Sequence, residues 1–165
     1  MTTPKEPTPV TRRLVAVAID ESKYAEAAVR WAMDSFLRPD DLVVLLNVQH
    51  SAFPHLNSSE ERYRQFAGEI EGKCTESSHA LLKKYTDLLN AKNFATKAMA
   101  VKGNPKQEIV REVEALKADC LIVGSRGMNA VSRAFLGSVS QYAAHHCDCP
   151  VVIHKATPEE LEKIQ

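Results

Sequence analysis

The sequence predicts an α/β domain: one doubly wound sheet of five parallel strands with helices on both faces. Five short apolar runs alternate with segments of helical periodicity, in the order strand, helix, strand, helix, strand, helix, strand, helix, strand. Such alternation calls for crossover connections and a parallel sheet. The runs are apolar at successive positions rather than at every second one, as in strands covered on both faces. At 165 residues the chain is long enough for a single hydrophobic core.

Residues 1–11 hold three prolines and several polar residues and read as a flexible tail. The first strand is the apolar run 14–19, which ends at Asp20. Ser22 then caps a helix. Its apolar face is Ala25, Ala28, Val29, Ala32, Met33 and Phe36, at helical spacing. Pro39 and Asp40 break that helix before the second strand, 42–48. Residues 51–59 form a loop, with Pro54 and Asn57-Ser58-Ser59 as breakers.

A long helix follows over about residues 60–90. Its first half is polar, and its second half carries Leu81, Leu82, Tyr85, Leu88 and Leu89. The third strand, 94–101, is the least apolar and is placed nearer an edge. Gly103-Asn104-Pro105 turns into a helix with Ile109, Val110, Val113 and Leu116 inward. The fourth strand is 120–123, then come a glycine loop, a helix over about 137–147 and a fifth strand, 151–154. Thr157 and Pro158 start a short terminal helix.

The segment after the fourth strand carries the chemistry. Gly124-Ser125-Arg126-Gly127 is followed, nine residues later, by Gly137-Ser138-Val139-Ser140. A glycine loop between a strand and a helix brings bare N–H groups to an anion, and the helix start adds more of them. A side chain at 124 would crowd a ribose, and Gly127 permits an outward turn. Nine residues span up to roughly 30 Å, enough to pass around a triphosphate. The amides of Gly137 and Ser138, with the hydroxyls of Ser138 and Ser140, are candidate phosphate donors. Plain turn punctuation, with Ser138 as a helix cap, fits the same spacing. Asp20, at the carboxyl end of a strand, suits ribose hydroxyls or an adenine amino group, and equally a cap on the next helix. Arg126 and Arg133 suit phosphates or bulk solvent alike.

This stretch resembles the nucleotide-binding branch of the universal stress protein family. That family's signature is glycine, two residues, glycine, nine residues, then glycine and serine or threonine, matched by Gly124, Gly127, Gly137 and Ser138. Val17-Ala18-Ile19-Asp20 with Ser22, Gly103-Asn104-Pro105, the run from Ala118 to Gly124 and Cys149-Pro150-Val151-Val152-Ile153 resemble further family segments. The resemblance implies strand order 3-2-1-4-5 and a nucleotide-binding unit over 12–155, with 156–165 as a tail or short helix. It implies ATP, ADP or AMP as ligand, with magnesium as an accompanying ion. The adenosine end would lie near Ala18, Ile19, Asp20 and Val48. The phosphates would lie near Gly127, Gly137, Ser138, Val139 and Ser140, with Gly124, Ser125 and Arg126 completing the nucleotide-binding set. It also implies a homodimer through the last strand, at Val151, Val152 and Ile153. Departures fall in the polar insert 51–72 and at Asn129-Ala130.

Other signals are weaker. Lysine plus arginine equals aspartate plus glutamate at 21 each, which argues against a strongly basic nucleic-acid surface. No apolar run reaches membrane-spanning length, and the N-terminus lacks a signal-peptide core. Together with four cysteines, these features point to reduced thiols in the cytoplasm. His145-His146-Cys147-Asp148-Cys149 has metal-ligand chemistry, but neighbouring helical positions point about 100° apart. It reads instead as cysteines packed by the sheet and histidines at the negative end of the helix. Cys120 is placed in the core and Cys74 on an exposed helix face. No catalytic constellation and no P-loop lysine is present.

The expected function is therefore an ATP-binding sensor or switch in stress response. Two alternatives stand beside it. One is an ATP-using enzyme with slow hydrolysis or adenylyl transfer, although residues 17–22 lack the signatures such enzymes carry. The other is an interaction module that holds no nucleotide.

Overall fold

A computed structural model describes residues 12–49, 61–127 and 136–164, and for 61–67 the backbone alone. The expected tail at 1–11 and the expected loop at 51–59 lie outside the described residues. The five apolar runs form strands β1 (Leu14–Ala18), β2 (Leu42–Gln49), β3 (Ala95–Lys102), β4 (Cys120–Gly124) and β5 (Val151–His154). All pairings are parallel, in the order β3-β2-β1-β4-β5. The predicted fold class and strand order hold, and β3 is an edge strand.

Continuous apolar runs put one hydrophobic set on each face of the sheet, because side chains alternate along a strand. Val15, Val17, Val43, Leu45 and Ile122 face one way, against Ala28, Val29, Leu82, Tyr85 and Leu89. Ala16, Val44, Leu46, Leu121 and Val123 face the other, against Ile109, Val113 and Ala143. Full burial of each branched or aromatic side chain contributes about 1.5–3 kcal/mol.

The covering helices are α1 (Lys23–Trp31), α2 (Glu61–Ala91), α3 (Pro105–Ala115) and α4 (Ser138–His146). A short α5 (Pro158–Glu162) follows β5, capped by Thr157 and Glu160 in a reciprocal pair. α1 runs on into one π-helical turn, Ala32–Phe36, which the periodicity did not reveal. It closes with Leu37 N–H on the Ala32 carbonyl at 2.8 Å, ahead of the Pro39 that blocks continuation.

Two charged ties brace the frame. Arg13, just before β1, holds Asp41, just before β2, through two hydrogen bonds of 2.8 and 2.5 Å. Glu26 on α1 binds Arg30 at 2.7 Å and Lys84 of α2 at 2.6 Å.

α2 has 31 residues, about 46 Å at the helical rise. The eight residues of β3 span about 26 Å. α2 meets the carboxyl end of β2 at Cys74 and Ser78, so its first turns rise past the strand ends on the side where α/β sheets bind ligands.

Candidate functional site

β1 and β4 are neighbours at the point where the strand order reverses. Their carboxyl ends bring Asp20 and the glycine loop together. Ile19 continues the sheet by donating to the Leu46 carbonyl at 2.9 Å. Asp20 Oδ1 accepts from Ser22 N–H at 2.9 Å and from the Ser22 hydroxyl. Ser22 Oγ in turn accepts from Ala25 N–H at 3.2 Å and caps α1. Asp20 thus holds the residue that caps the helix, and its other oxygen, Oδ2, faces the loop. A Cβ at position 127 would lie 2.7 Å from Oδ2.

The three loop glycines are needed for space, not for left-handed backbone. Among the described glycines only Gly103 has a positive φ, 147°. A Cβ on Gly124 would stand 2.9 Å from the Tyr24 carbonyl group and 3.1 Å from Ala25 N. Gly124 is therefore a helix-packing glycine that lets α1 close on the end of β4. A Cβ on Gly137 would stand 3.2 Å from Arg126 Cα and 3.4 Å from the Ser125 carbonyl oxygen.

Two expected phosphate donors are engaged within the protein. Gly137 N–H donates to the Ser125 carbonyl at 2.7 Å. Buried Ser140 directs its hydroxyl to the Gly137 and Ser125 carbonyls, at 2.9 and 3.3 Å. Both groups fasten α4 to the strand end. Ser125 is itself buried and donates its N–H to the His154 carbonyl at 2.8 Å.

The remaining candidates sit at the same end of the sheet. Gly137 is the N-cap of α4 and has no side chain to offer the first turn. The first-turn amides of Ser138, Val139 and Ser140 have no carbonyl one turn back, and the helix dipole favours an anion there. The Ser138 side chain is exposed and Val139 half-buried. Ala18, buried, ends β1, and Val48, half-buried, is the penultimate residue of β2. Arg126 donates Nη1–H to Tyr24 Oη at 3.0 Å, with its guanidinium 5.2 Å from the Tyr24 ring centroid. Arg133, Asn129 and Ala130 lie outside the described residues.

Two contributors were missed from sequence. Asn47 donates Nδ2–H to the Ile19 carbonyl at 2.8 Å and accepts from Ser78 Oγ at 2.6 Å, both bonds buried. It ties the ends of β1 and β2 to α2, under the place predicted for adenosine. Its signal was present: it is the one polar residue in the run 42–48. Tyr24 gave no local signal.

The histidine–cysteine stretch resolves as packing. Cys147 and Cys149 lie against one face of the sheet. Burial pushes the Cys147 thiol up to about 11, with Cys149 adding to the effect. His146 Nδ1 lies 2.8 Å from the Tyr142 carbonyl oxygen, with the two rings stacked. Cys120 is buried and Cys74 exposed. Among the described residues no group of three His, Cys, Asp or Glu side chains gathers as for a metal ion. Nor, among them, is any helix long and apolar enough to cross a membrane.

Comparison with known proteins points the same way as the fold. The profile of the Universal stress protein family matches residues 11–155. Universal stress protein PHOS32 of Arabidopsis thaliana is 35% identical over 89% of this chain, which spans 66% of that protein's length. The solved structure of hypothetical protein MJ0577 superposes with a TM-score of 0.77 at 26% identity, over 90% of this chain and 99% of that one. A universal stress protein family protein from Arabidopsis thaliana, solved with AMP bound, superposes with a TM-score of 0.65 at 26% identity, over 90% and 94%.

Proposed function

The chain belongs to the universal stress protein family, and on that premise we propose that it binds an adenine nucleotide and acts as a cytoplasmic, nucleotide-dependent switch in stress response. The observation that carries the reading is the meeting of Asp20, Gly127 and the start of α4 at the carboxyl ends of β1 and β4. The carboxylate of Asp20 lies against Gly127, so that a Cβ there would come within 2.7 Å of Oδ2, and the uncapped first turn of α4 starts beside the same loop. The AMP-bound relative supports an adenine nucleotide as the ligand class.

In this reading Asp20 accepts hydrogen bonds from the ribose or base, with Ala18, Ile19 and Val48 lining the adenosine end. The phosphates take the amides of Ser138, Val139 and Ser140, along the wall made by Gly124, Ser125, Arg126, Gly127 and Gly137. ATP, ADP and AMP share these contacts. Magnesium, where present, rides on the phosphates and water, since it keeps several waters and needs few protein ligands. Residues 12–155 are the binding unit, and β5 offers Val151, Val152 and Ile153 as a pairing edge for a second copy. A nucleotide moves such a protein between states only by binding one of them better.

Calorimetric titration with ATP, ADP and AMP tests the reading on the unaltered protein and on Gly127→Trp. Binding by the first and its loss in the second is expected. Equal affinity in both contradicts the site.

A further inference from the structure

Asp20 leaves the sheet just after β1 ends at Ala18. Ile19 N–H still reaches the Leu46 carbonyl at 2.9 Å. The Ile19 carbonyl takes a side chain: Asn47 Nδ2–H donates to it at 2.8 Å. That carbonyl can only accept, which fixes the amide nitrogen as the end that faces it. The carboxamide oxygen then accepts from Ser78 Oγ at 2.6 Å. Asn47 is 8% exposed and Ser78 4%, so bulk water does not compete for either bond. A peptide group is planar, so the Ile19 carbonyl and the N and Cα atoms of Asp20 move as one plate. Holding that carbonyl sets the direction in which Asp20 departs. α2 grips the same corner twice more. Ser77 donates its hydroxyl to Glu21 Oε1, and Gln49 Nε2–H donates to the Cys74 carbonyl at 3.0 Å. Residues 74, 77 and 78 share one face of the helix. Asp20 is thus flanked by two anchored residues. Ser22 holds its Oδ1, and Oδ2 lies against Gly127.

We propose that Asn47 is a positioning residue for the nucleotide site: by holding the Ile19–Asp20 peptide it aims the Asp20 carboxylate at the adenosine end of the ligand. The proposal rests on the nucleotide reading above and deepens it. Hydrogen bonds weaken steeply as their angles open, so a tilted peptide at residues 19–20 costs Asp20 its contact without removing the carboxylate. A preset carboxylate also avoids an ordering cost at the moment of binding. ATP and AMP share the adenosine end, so both lose alike when Asp20 is mis-aimed. A general loosening of the strand ends reaches the phosphate contacts as well, and costs ATP more than AMP.

The test compares ATP and AMP affinities by calorimetry in the unaltered protein, Asn47→Ala, Ser78→Ala, Asp20→Asn, and each of the first two combined with Asp20→Asn. Urea unfolding of every sample establishes that it is folded under the titration conditions. Asp20→Asn keeps the shape of the side chain and an oxygen for Ser22, and replaces the outward acceptor with a donor. It is expected to weaken ATP and AMP alike, by about tenfold. Asn47→Ala is expected to weaken both by about fivefold, and Ser78→Ala, which frees the Asn47 carboxamide, by about twofold. In the Asp20→Asn background neither change is expected to cost anything further, because both act through Asp20. Losses that add to that of Asp20→Asn, or that are larger for ATP than for AMP, overturn the proposal while leaving the nucleotide site intact. Where Asn47→Ala does not fold, the Ser78→Ala pair decides by the same criteria. Absence of any adenine-nucleotide binding by the unaltered protein overturns the site itself, and this arm separates the two failures.

Discussion

Asp20 and Gly127 face each other so closely that a Cβ at 127 would lie 2.7 Å from Asp20 Oδ2. The aspartate is fixed from behind by Ser22, so a methyl group at 127 has to displace the outward oxygen or the loop. Gly127→Ala is expected to lower ATP affinity by about tenfold or more. The chain end of a carboxylate can swing aside, so stability should change by less than about 1 kcal/mol. Calorimetry and urea unfolding of the same sample check both halves. Unchanged affinity would remove Asp20 from the site.

Asn47 is the test of the buried brace. Asn47→Ala strands the Ile19 carbonyl and the Ser78 hydroxyl, both of which it now satisfies. A buried group left without its partner costs about 1–3 kcal/mol, so a loss of about 2–3 kcal/mol is expected. Ser78→Ala removes one of the two bonds and should cost about 1 kcal/mol. Urea unfolding of the two single variants and the double variant gives the coupling; simple additivity would mean that the two side chains act separately.

Acid should loosen the frame through two carboxylates. Burial pushes the Asp41 and Glu26 carboxyls up, but hydrogen bonds outweigh it: Arg13 for Asp41, Lys84 and Arg30 for Glu26. Both end below their ordinary values of 3.8 and 4.5. A depressed folded pKa means stability that is present above the ordinary value and is lost as pH falls through it toward the folded value. Urea midpoints measured from neutrality down to about pH 3 should fall steeply below about pH 4.5. Asp41→Asn and Glu26→Gln should each flatten that slope while lowering stability at neutral pH. An unchanged slope in both variants would count against these ties.

Lys117 ends α3 in left-handed backbone, with φ 52°. Its N–H reaches the Glu114 carbonyl at 3.0 Å, and Ala118 N–H reaches that of Val113 at 3.1 Å, as in a helix-ending turn that glycine favours. Lys117→Gly is expected to raise stability by about 0.5–1 kcal/mol, relief of strain outweighing the freer unfolded chain. Asn93, at φ 64°, already tolerates this conformation, so Asn93→Gly should gain less. Thermal unfolding distinguishes them.

What the sequence made legible was what repeats along it. Unbroken apolar runs such as 43–46 and 121–123 can only be strands covered on both faces, and they form the centre of the sheet. The glycine spacing located the loop, and Ser22 and Thr157 cap their helices as expected, while Asn104, read only as part of a turn, caps α3 as well. What was hidden depends on partners distant in sequence. Nothing near Gly137 says that its N–H goes to the Ser125 carbonyl, or that Ser140 turns its hydroxyl inward to the same atom. Gly124 is a glycine because α1 lies against it, a fact that exists only once residues 24 and 124 meet. The π-helical turn at Ala32–Phe36 is made by backbone bonds, which leave no compositional mark.

The most direct test of the account is an amide NMR titration of the full chain with ATP, followed by AMP. The account predicts that the largest shifts fall on the Gly127, Ser138, Val139 and Ser140 amides, with smaller ones at Asp20 and Val48. Binding with shifts gathered elsewhere, for example along α3 or β3, or no shifts with either nucleotide, would contradict it.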